Sequence, residues 1–381
     1  MSACQIDYLV RMALICGILL VFVGDSMQSI YGFRGANGEH FTRLAGGLLP
    51  SKSRVSVRLF PLTTCYRCPC LHVYLANLLL VARAHSAQSV RFVHYVLQPA
   101  PGAADGELLQ GSLLDELPSP RGLVVYLARS RLVLLAQAFE LLSRPVPPVL
   151  RLGSEDSWQL ELGRCRALYG GWVAAQARPD ALLMLSFAPF ATMAAMTWDD
   201  IEGVIVERIG EFRFALGIVN KYGSRLGELL LRLDALLKQT ARPDVQVELL
   251  TVHAAKGLQF RTVQLADDLF ELAAFKVQDG KGGMAWPAGG DAINLWYVAL
   301  TRATHTLVLP PKFLALVQDM CSIGSAGAAS SHADAAGSKL VLGSGQSRCA
   351  FSPEDVVHLR RDLYDPWLAC GGGLVLAQTQ L

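Results

Sequence analysis

Residues 12–23 run apolar without a single charge until Gly24-Asp25 interrupts them. A short run apolar on every face predicts a strand covered on both sides of a sheet. Further along, residues 71–84 read as a helix, and the Pro- and Gly-rich residues 99–122 read as a surface loop. A strand over 124–127 and a helix over 131–142, closed before Pro145, follow it. Strand and helix alternate, which predicts a parallel α/β sheet. Residues 154–244 are more helical. There Leu226, Leu229, Leu230, Leu233, Leu236 and Leu237 recur at a helical period and mark a face turned to a core. Strands over 248–252 and 304–309 return the α/β pattern. Residues 322–347, rich in Gly, Ala and Ser, cannot bury enough side chain to offset ordering entropy, so disorder is expected. The charged stretch 355–362 reads as a solvated helix with His358 on its surface, and no internal repeat is present.

Composition narrows the class. A chain of 381 residues accommodates two or three domains. Its 34 basic and 32 acidic residues leave +2, so no bulk cationic field advertises nucleic acid, and any DNA contact must be local. Charged residues make up 17%, below the usual ~25%, so some apolar surface should need covering by another body. The run after Arg11 is too short to span a bilayer, and Gly24-Asp25 makes a poor signal-cleavage site, so no membrane partner is expected. Nine cysteines, an odd number scattered along the chain, fit a reducing, intracellular compartment. Cys65, Cys68 and Cys70 have a metal-like spacing that no second Cys or His pair completes, so they read as small packing residues and no metal site is expected.

Four strings carry most of the functional information. The first is Gly24-Asp25-Ser26-Met27-Gln28-Ser29-Ile30-Tyr31-Gly32-Phe33-Arg34-Gly35-Ala36, placed where ligands usually bind in parallel sheets, at the end of an apolar strand. Gln28 and Arg34 can reach a phosphate there, while Tyr31 and Phe33 offer flat faces. The others are Thr63-Thr64-Cys65-Tyr66-Arg67, then Thr251-Val252-His253-Ala254-Ala255-Lys256-Gly257-Leu258-Gln259-Phe260, and Tyr297-Val298-Ala299-Leu300-Thr301-Arg302-Ala303. In this order they resemble motifs III, IV, V and VI of the UvrD/Rep helicases of superfamily 1, and the spacing is most similar to the F-box DNA helicase branch.

The resemblance implies RecA-like parallel sheets of the P-loop NTPase type with a largely helical insertion. It divides the chain into residues 1–58, the end of a first RecA-like domain carrying motif III; 59–153, opening the second with motif IV; 154–244, the insertion; 245–320, closing the second with motifs V and VI; and 321–381, a low-complexity tail. The implied function is an ATP-dependent 3′ to 5′ DNA helicase or translocase acting in repair or recombination, in the nucleus of a eukaryote. It implies catalytic roles for Gln28, Arg67 and Arg302. ATP would also meet Tyr66, Gly257 and Gln259, and single-stranded DNA or DNA junctions would meet Tyr31, Phe33, Arg34, His253 and Lys256. Arginines near a migrating phosphoryl group and aromatic platforms for bases are the devices such chemistry uses.

Two parts of that machinery are missing from these residues. No glycine loop ends in Gly-Lys-Ser or Gly-Lys-Thr: Ala255-Lys256-Gly257 reverses the order, and Gly280-Lys281-Gly282 lacks the hydroxyl. The Asp-Glu pair that holds Mg²⁺, which in the family lies shortly before motif III, is absent ahead of Gly24, and Cys4-Gln5-Ile6-Asp7-Tyr8-Leu9 resembles the segment just after it. The chain is therefore expected to begin inside a helicase, to need an N-terminal helicase domain as partner, and to be inactive alone. Departures from the pattern include Gln259 where Glu is usual, Cys65 where Asn is frequent, and Thr304-His305 where Lys is common. A non-catalytic remnant or DNA-binding module is the alternative. A nuclease–helicase fragment would need a carboxylate-lysine box that is not seen, and ubiquitin-ligase partners would need an F-box absent from these residues.

Overall fold

The computed structural model describes residues 3–32, 60, 62–86, 97–117, 122–153, 158–185, 187, 189–237, 244–270, 277–278, 284–285 and 290–313. Its elements, in chain order, begin with helix α1 (Ala3–Cys16). Strand β1 (Thr64–Cys65), helix α2 (Cys70–Ser86) and strands β2 (Gln98–Pro99) and β3 (Glu107–Gln110) come next. Then follow β4 (Val124–Ala128), α3 (Arg131–Leu142), β5 (Leu150–Leu152), α4 (Gln159–Ala177), α5 (Trp198–Glu207), α6 (Arg213–Tyr222) and α7 (Leu226–Leu237). The last group is β6 (Val247–Thr251), α8 (Val252–Ala255), β7 (Phe260–Leu265), the short antiparallel pair β8 (Val277–Gln278) and β9 (Met284–Ala285), α9 (Gly290–Leu300) and β10 (Ala303–Leu309). The chain forms two compact units, one from residues 1–112 with 256–381 and the other from residues 113–255.

In the first unit, β10 lies between β3 and β7, parallel to both, and β1 pairs in parallel with β2. Parallel strands need cover on both faces. The buried ends of β10 and β7 carry Leu307, Val308, Leu309, Val263 and Leu265 beside the polar Thr306, Thr262 and Gln264, and α9 packs against α2, with Val73, Ala76, Ile293 and Ala299 buried on the two helices. Phe270, Trp296 and Phe313 close one side of that core, with ring centroids 5.3 and 4.5 Å from Phe270. The Trp296 indole N–H donates to the Leu269 carbonyl, so its polar atom is not stranded.

In the second unit, β6 lies between β4 and β5, parallel to both, and every residue of β4 is buried. Ser130 caps α3, which packs against α7. Leu226, Leu229, Leu230, Leu233 and Leu237 are buried on α7, as the helical period predicts. Helices α4 to α7 make up the helical region. Thr197 and Asp200 form a reciprocal capping box on α5, and Phe187, Phe190 and Phe212 stack edge to face or tilted beside Arg164. Among the described residues no helix is long and apolar enough to cross a membrane.

The α/β character with parallel sheets agrees with the sequence reading, and so do the elements at 70–86, 124–128, 131–142 and 303–309. Two local expectations are corrected. Residues 12–23 are not a covered strand: Ala3–Cys16 is helical, Gly17 takes a positive φ of 65°, and Ile18, Leu19, Val21 and Val23 are exposed beyond it. A covered strand takes its hydrogen bonds from neighbouring strands, and no strand is described beside this run. The local preference of Leu, Met and Ala for helix, with Arg11 bonded to Asp7 one turn away, decides instead. Nor are residues 99–122 simply a loop, since β3 and a helical turn at Leu113–Glu116 lie within them. Residues 321–381, Phe33 and Arg34 lie outside the described residues.

Candidate functional site

Within the first unit, the strings at 63–67 and 297–303, the described start of the first string and the end of the third, from Lys256, converge on a cluster of cations. Arg302 follows α9 at its junction with β10 and is fully buried. Its Nε donates to Val298 O at 2.9 Å, Nη1 to Leu258 O at 2.9 Å and Nη2 to Thr301 Oγ1 at 3.1 Å. The side chain thus ties the end of α9 to the turn after Lys256. Burial, and next the charge of Arg67, pull its pKa down to about 10.

Lys256 is half-buried. Its Nζ donates to Gln28 O at 2.7 Å and sits 5.2 Å above the Tyr31 ring. Burial, then repulsion from Arg302, lowers its pKa, while Asp25 opposes the shift. Arg67 lies in the bend between β1 and α2, and its buried Nε has no hydrogen-bond partner among the described residues. A buried donor left unpaired costs ~1–3 kcal/mol.

Asp25 is the counter-charge. One of its oxygens accepts from Met27 N at 2.9 Å and the other from Gln28 Nε2 at 2.9 Å. Burial first, and then the nearby Asp25 carboxylate, raise the pKa of the Tyr297 hydroxyl. Asn294 anchors the same turn from α9, its Nδ2 donating to Ser29 O at 2.8 Å and Ser26 O at 3.4 Å, while its buried Oδ1 has no partner.

The other sequence candidates surround this cluster or lie apart from it. Tyr66, next to Arg67, is 83% exposed, leaving its ring open to a flat ligand. Gly257 takes a φ of +88°, a backbone conformation that favours glycine, and Gln259 beyond it is exposed. Gln28 is half-buried with its amide on Asp25. His253 lies in α8, in the second unit. Phe33 and Arg34 are outside the described residues.

Asp25, Asn294 and Tyr297 were not singled out from the sequence. Signals existed for two of them. Asp25 opens a polar turn two residues before its own hydrogen-bond donor, the habit of an Asx cap, and Asn294 is a polar residue inside an apolar helix, which demands a partner.

Chemically, Arg67 and Lys256 add partly dehydrated cationic charge beside the buried Arg302, with Asp25 as the fixed carboxylate and Arg67 Nε as an unpaired donor. An anion placed there would satisfy that donor and relieve the mutual repulsion. The described residues include no cluster of His, Cys, Asp and Glu that could hold a metal ion.

No protein-family model matches the chain. Over 325 residues it is 26% identical to the F-box DNA helicase 1 of Gallus gallus, an alignment covering 77% of this chain. The chain spans 26% of the length of that curated relative. This is a distant helicase relationship.

Proposed function

We propose that this chain supplies the second nucleotide-facing surface of an ATP-driven DNA helicase or translocase of the UvrD/Rep type, working with a separate domain that carries the phosphate loop and the Mg²⁺ carboxylates. The observation that carries the reading is the convergence of Arg67, Lys256 and Arg302 around an unpaired buried donor. ATP would supply the phosphate chain and the free energy of its hydrolysis. Arg67 would meet the phosphate through its guanidinium, and Tyr66 would offer a face for the base. Arg302 would hold the Leu258 turn and lend its charge to the same region. Gln28 and Lys256, bonded through the Gln28 carbonyl, would join the phosphate side to Tyr31 on the DNA side. Among the described residues no cluster of His, Cys, Asp and Glu could hold a metal ion, and the Mg²⁺ that the resemblance implies would be held by the partner domain. Single-stranded DNA or a DNA junction is the proposed substrate, with polarity 3′ to 5′ and a role in repair or recombination, following the resemblance. Any ubiquitin-ligase partner would depend on an F-box outside these residues.

The complete burial of Arg302 favours a second reading, in which the arginine is structural and the chain is a DNA-binding or interaction module without catalysis. A fluorescent ATP analogue titrated into the full chain separates the two. Binding that falls at least about tenfold in Arg67→Ala supports the nucleotide surface, and binding indifferent to both Arg67→Ala and Lys256→Ala refutes it. Phosphate release should be absent from the chain alone with single-stranded DNA present. Robust turnover tracking this protein would overturn the need for a partner domain.

A further inference from the structure

Asn294 stands between Ile293 and Leu295 in an otherwise apolar stretch of α9, and only 1% of it is exposed. Its Nδ2 donates to Ser29 O at 2.8 Å and to Ser26 O at 3.4 Å, while its Oδ1 is buried with no partner among the described residues. A buried acceptor left unpaired costs stability, so an apolar residue of similar size would serve the packing of α9 better. The turn at 25–30 has local bonds of its own. Asp25 O accepts Gln28 N at 3.1 Å, Ser26 O accepts Ser29 N at 3.3 Å, and the Asp25 side chain accepts Met27 N at 2.9 Å. Met27 and Ile30 are buried beneath it.

What Asn294 adds is a link across the first unit. Gln28 O, in the same turn, accepts Lys256 Nζ at 2.7 Å. Two residues beyond Lys256, Leu258 O accepts Arg302 Nη1 at 2.9 Å, and Arg302 Nε donates to Val298 O at 2.9 Å. The path therefore leaves α9 at Asn294 and returns to it at Val298, one turn further along the helix. Every member lies within the first unit.

We infer that Asn294 is a positioning residue that closes this ring of hydrogen bonds, so that the Gln28 turn, Lys256 and Arg302 answer as one body to a phosphate bound beside them. The response to phosphate rests on the nucleotide reading, whereas the ring stands on the distances above. Arg302 is spent on three acceptors, and the Gln28 amide is held by Asp25. Neither side chain can shift toward a ligand without moving a neighbour in the ring. Displacement of the turn is passed to α9 through Ser29 O and Ser26 O, a contiguous hydrogen-bonded path.

The test compares the full chain with Asn294→Leu and Asn294→Ala, first without nucleotide. Amide exchange at Ser29 and Ile30 and acylation of Lys256 by acetic anhydride, both read by fragmentation mass spectrometry, should each rise at least ~tenfold in the variants. The amides of β7 and β10 should keep their protection. Unchanged turn amides and an unchanged Lys256 would overturn the ring, and a rise shared equally by β7 and β10 would reduce Asn294 to general stability alone. A fluorescent ATP analogue is titrated next. Its Kd should rise at least ~fivefold in Asn294→Leu, the low end of coupling between linked groups, and an unchanged Kd beside a loosened turn would overturn the joint response. An unsubstituted chain that binds no analogue refutes the nucleotide reading and with it the response to phosphate, while exchange and acylation still decide the ring. Should both variants fail to fold, the unsubstituted chain suffices. With the ring closed, its Ser29 and Ile30 amides exchange at least ~tenfold more slowly than those of an isolated turn, and exchange at the free rate refutes the ring.

Discussion

Replacing Arg302 by Met tests whether this arginine is a structural strut as well as a phosphate-facing charge. The substitution keeps an unbranched side chain but removes three donated hydrogen bonds, to Val298 O, Leu258 O and Thr301 Oγ1. Hydrogen bonds from a charged donor contribute ~1.5–3 kcal/mol each. Against that, the drop of the Arg302 pKa from 12.5 to about 10 corresponds to a penalty of ~3 kcal/mol on the charged form, which the methionine would not carry. The difference leaves a net loss of ~2–6 kcal/mol, in the range seen when one partner of a buried ionic contact is removed. The assay is urea denaturation of the full chain beside Arg302→Met and Arg302→Lys, read by tryptophan fluorescence, since Trp296 lies on α9, the helix that Arg302 follows. Arg302→Lys should recover only part of the loss, because an ammonium cannot reach three divergent acceptors as a planar guanidinium does. If Arg302→Met unfolds within ~0.5 kcal/mol of the unsubstituted chain, as a surface change would, the side chain is not spent on these carbonyls. It would then be free to serve a ligand alone.

Three further outcomes follow from particular contacts. His72 is fully buried between Ala303 O at 3.3 Å and Glu107 O at 3.4 Å, and burial lowers its pKa below 6.5. Above that value both states are neutral and stability is complete. As pH falls through it, only the unfolded chain gains the proton, so stability should decline by up to ~1.4 kcal/mol per pH unit until the folded pKa is reached. Urea midpoints across this window should flatten in His72→Gln, and an unchanged slope places the titrating group elsewhere. Leu233→Ala, at a fully buried position on α7, should cost ~2–5 kcal/mol, whereas Leu231→Ala on the exposed face should stay within ~0.5; equal losses in thermal melts would refute the assigned face. Gln259→Glu should leave ATP-analogue binding equal or stronger, and a large loss in the same titration would disprove a ribose contact at this exposed position.

The amino-acid sequence by itself determined the elements whose signals are local. The leucine spacing of α7, Ser130 before α3, and the apolar runs of β4, β6 and β10 each state their own periodicity or cap, and the structure places them accordingly. The four motif strings are likewise readable as residues in order. Tertiary structure alone decided what depends on partners distant in the chain. The run ending at Val23 could become a covered strand only beside other strands, and without them its first part is helical. The four residues of β3 gain their identity from β10, nearly two hundred positions away. Arg302 carried the same charge in the sequence as any surface arginine. Its complete burial, its spread over three acceptors and its approach to Arg67 arise only when α9 is laid against α2 and the turn at Leu258. Asp25 and Asn294 acquired their roles in the same way, because a hydrogen-bonded cluster is defined by which carbonyls and hydroxyls folding brings within 3 Å or so, and no spacing along the chain encodes that distance.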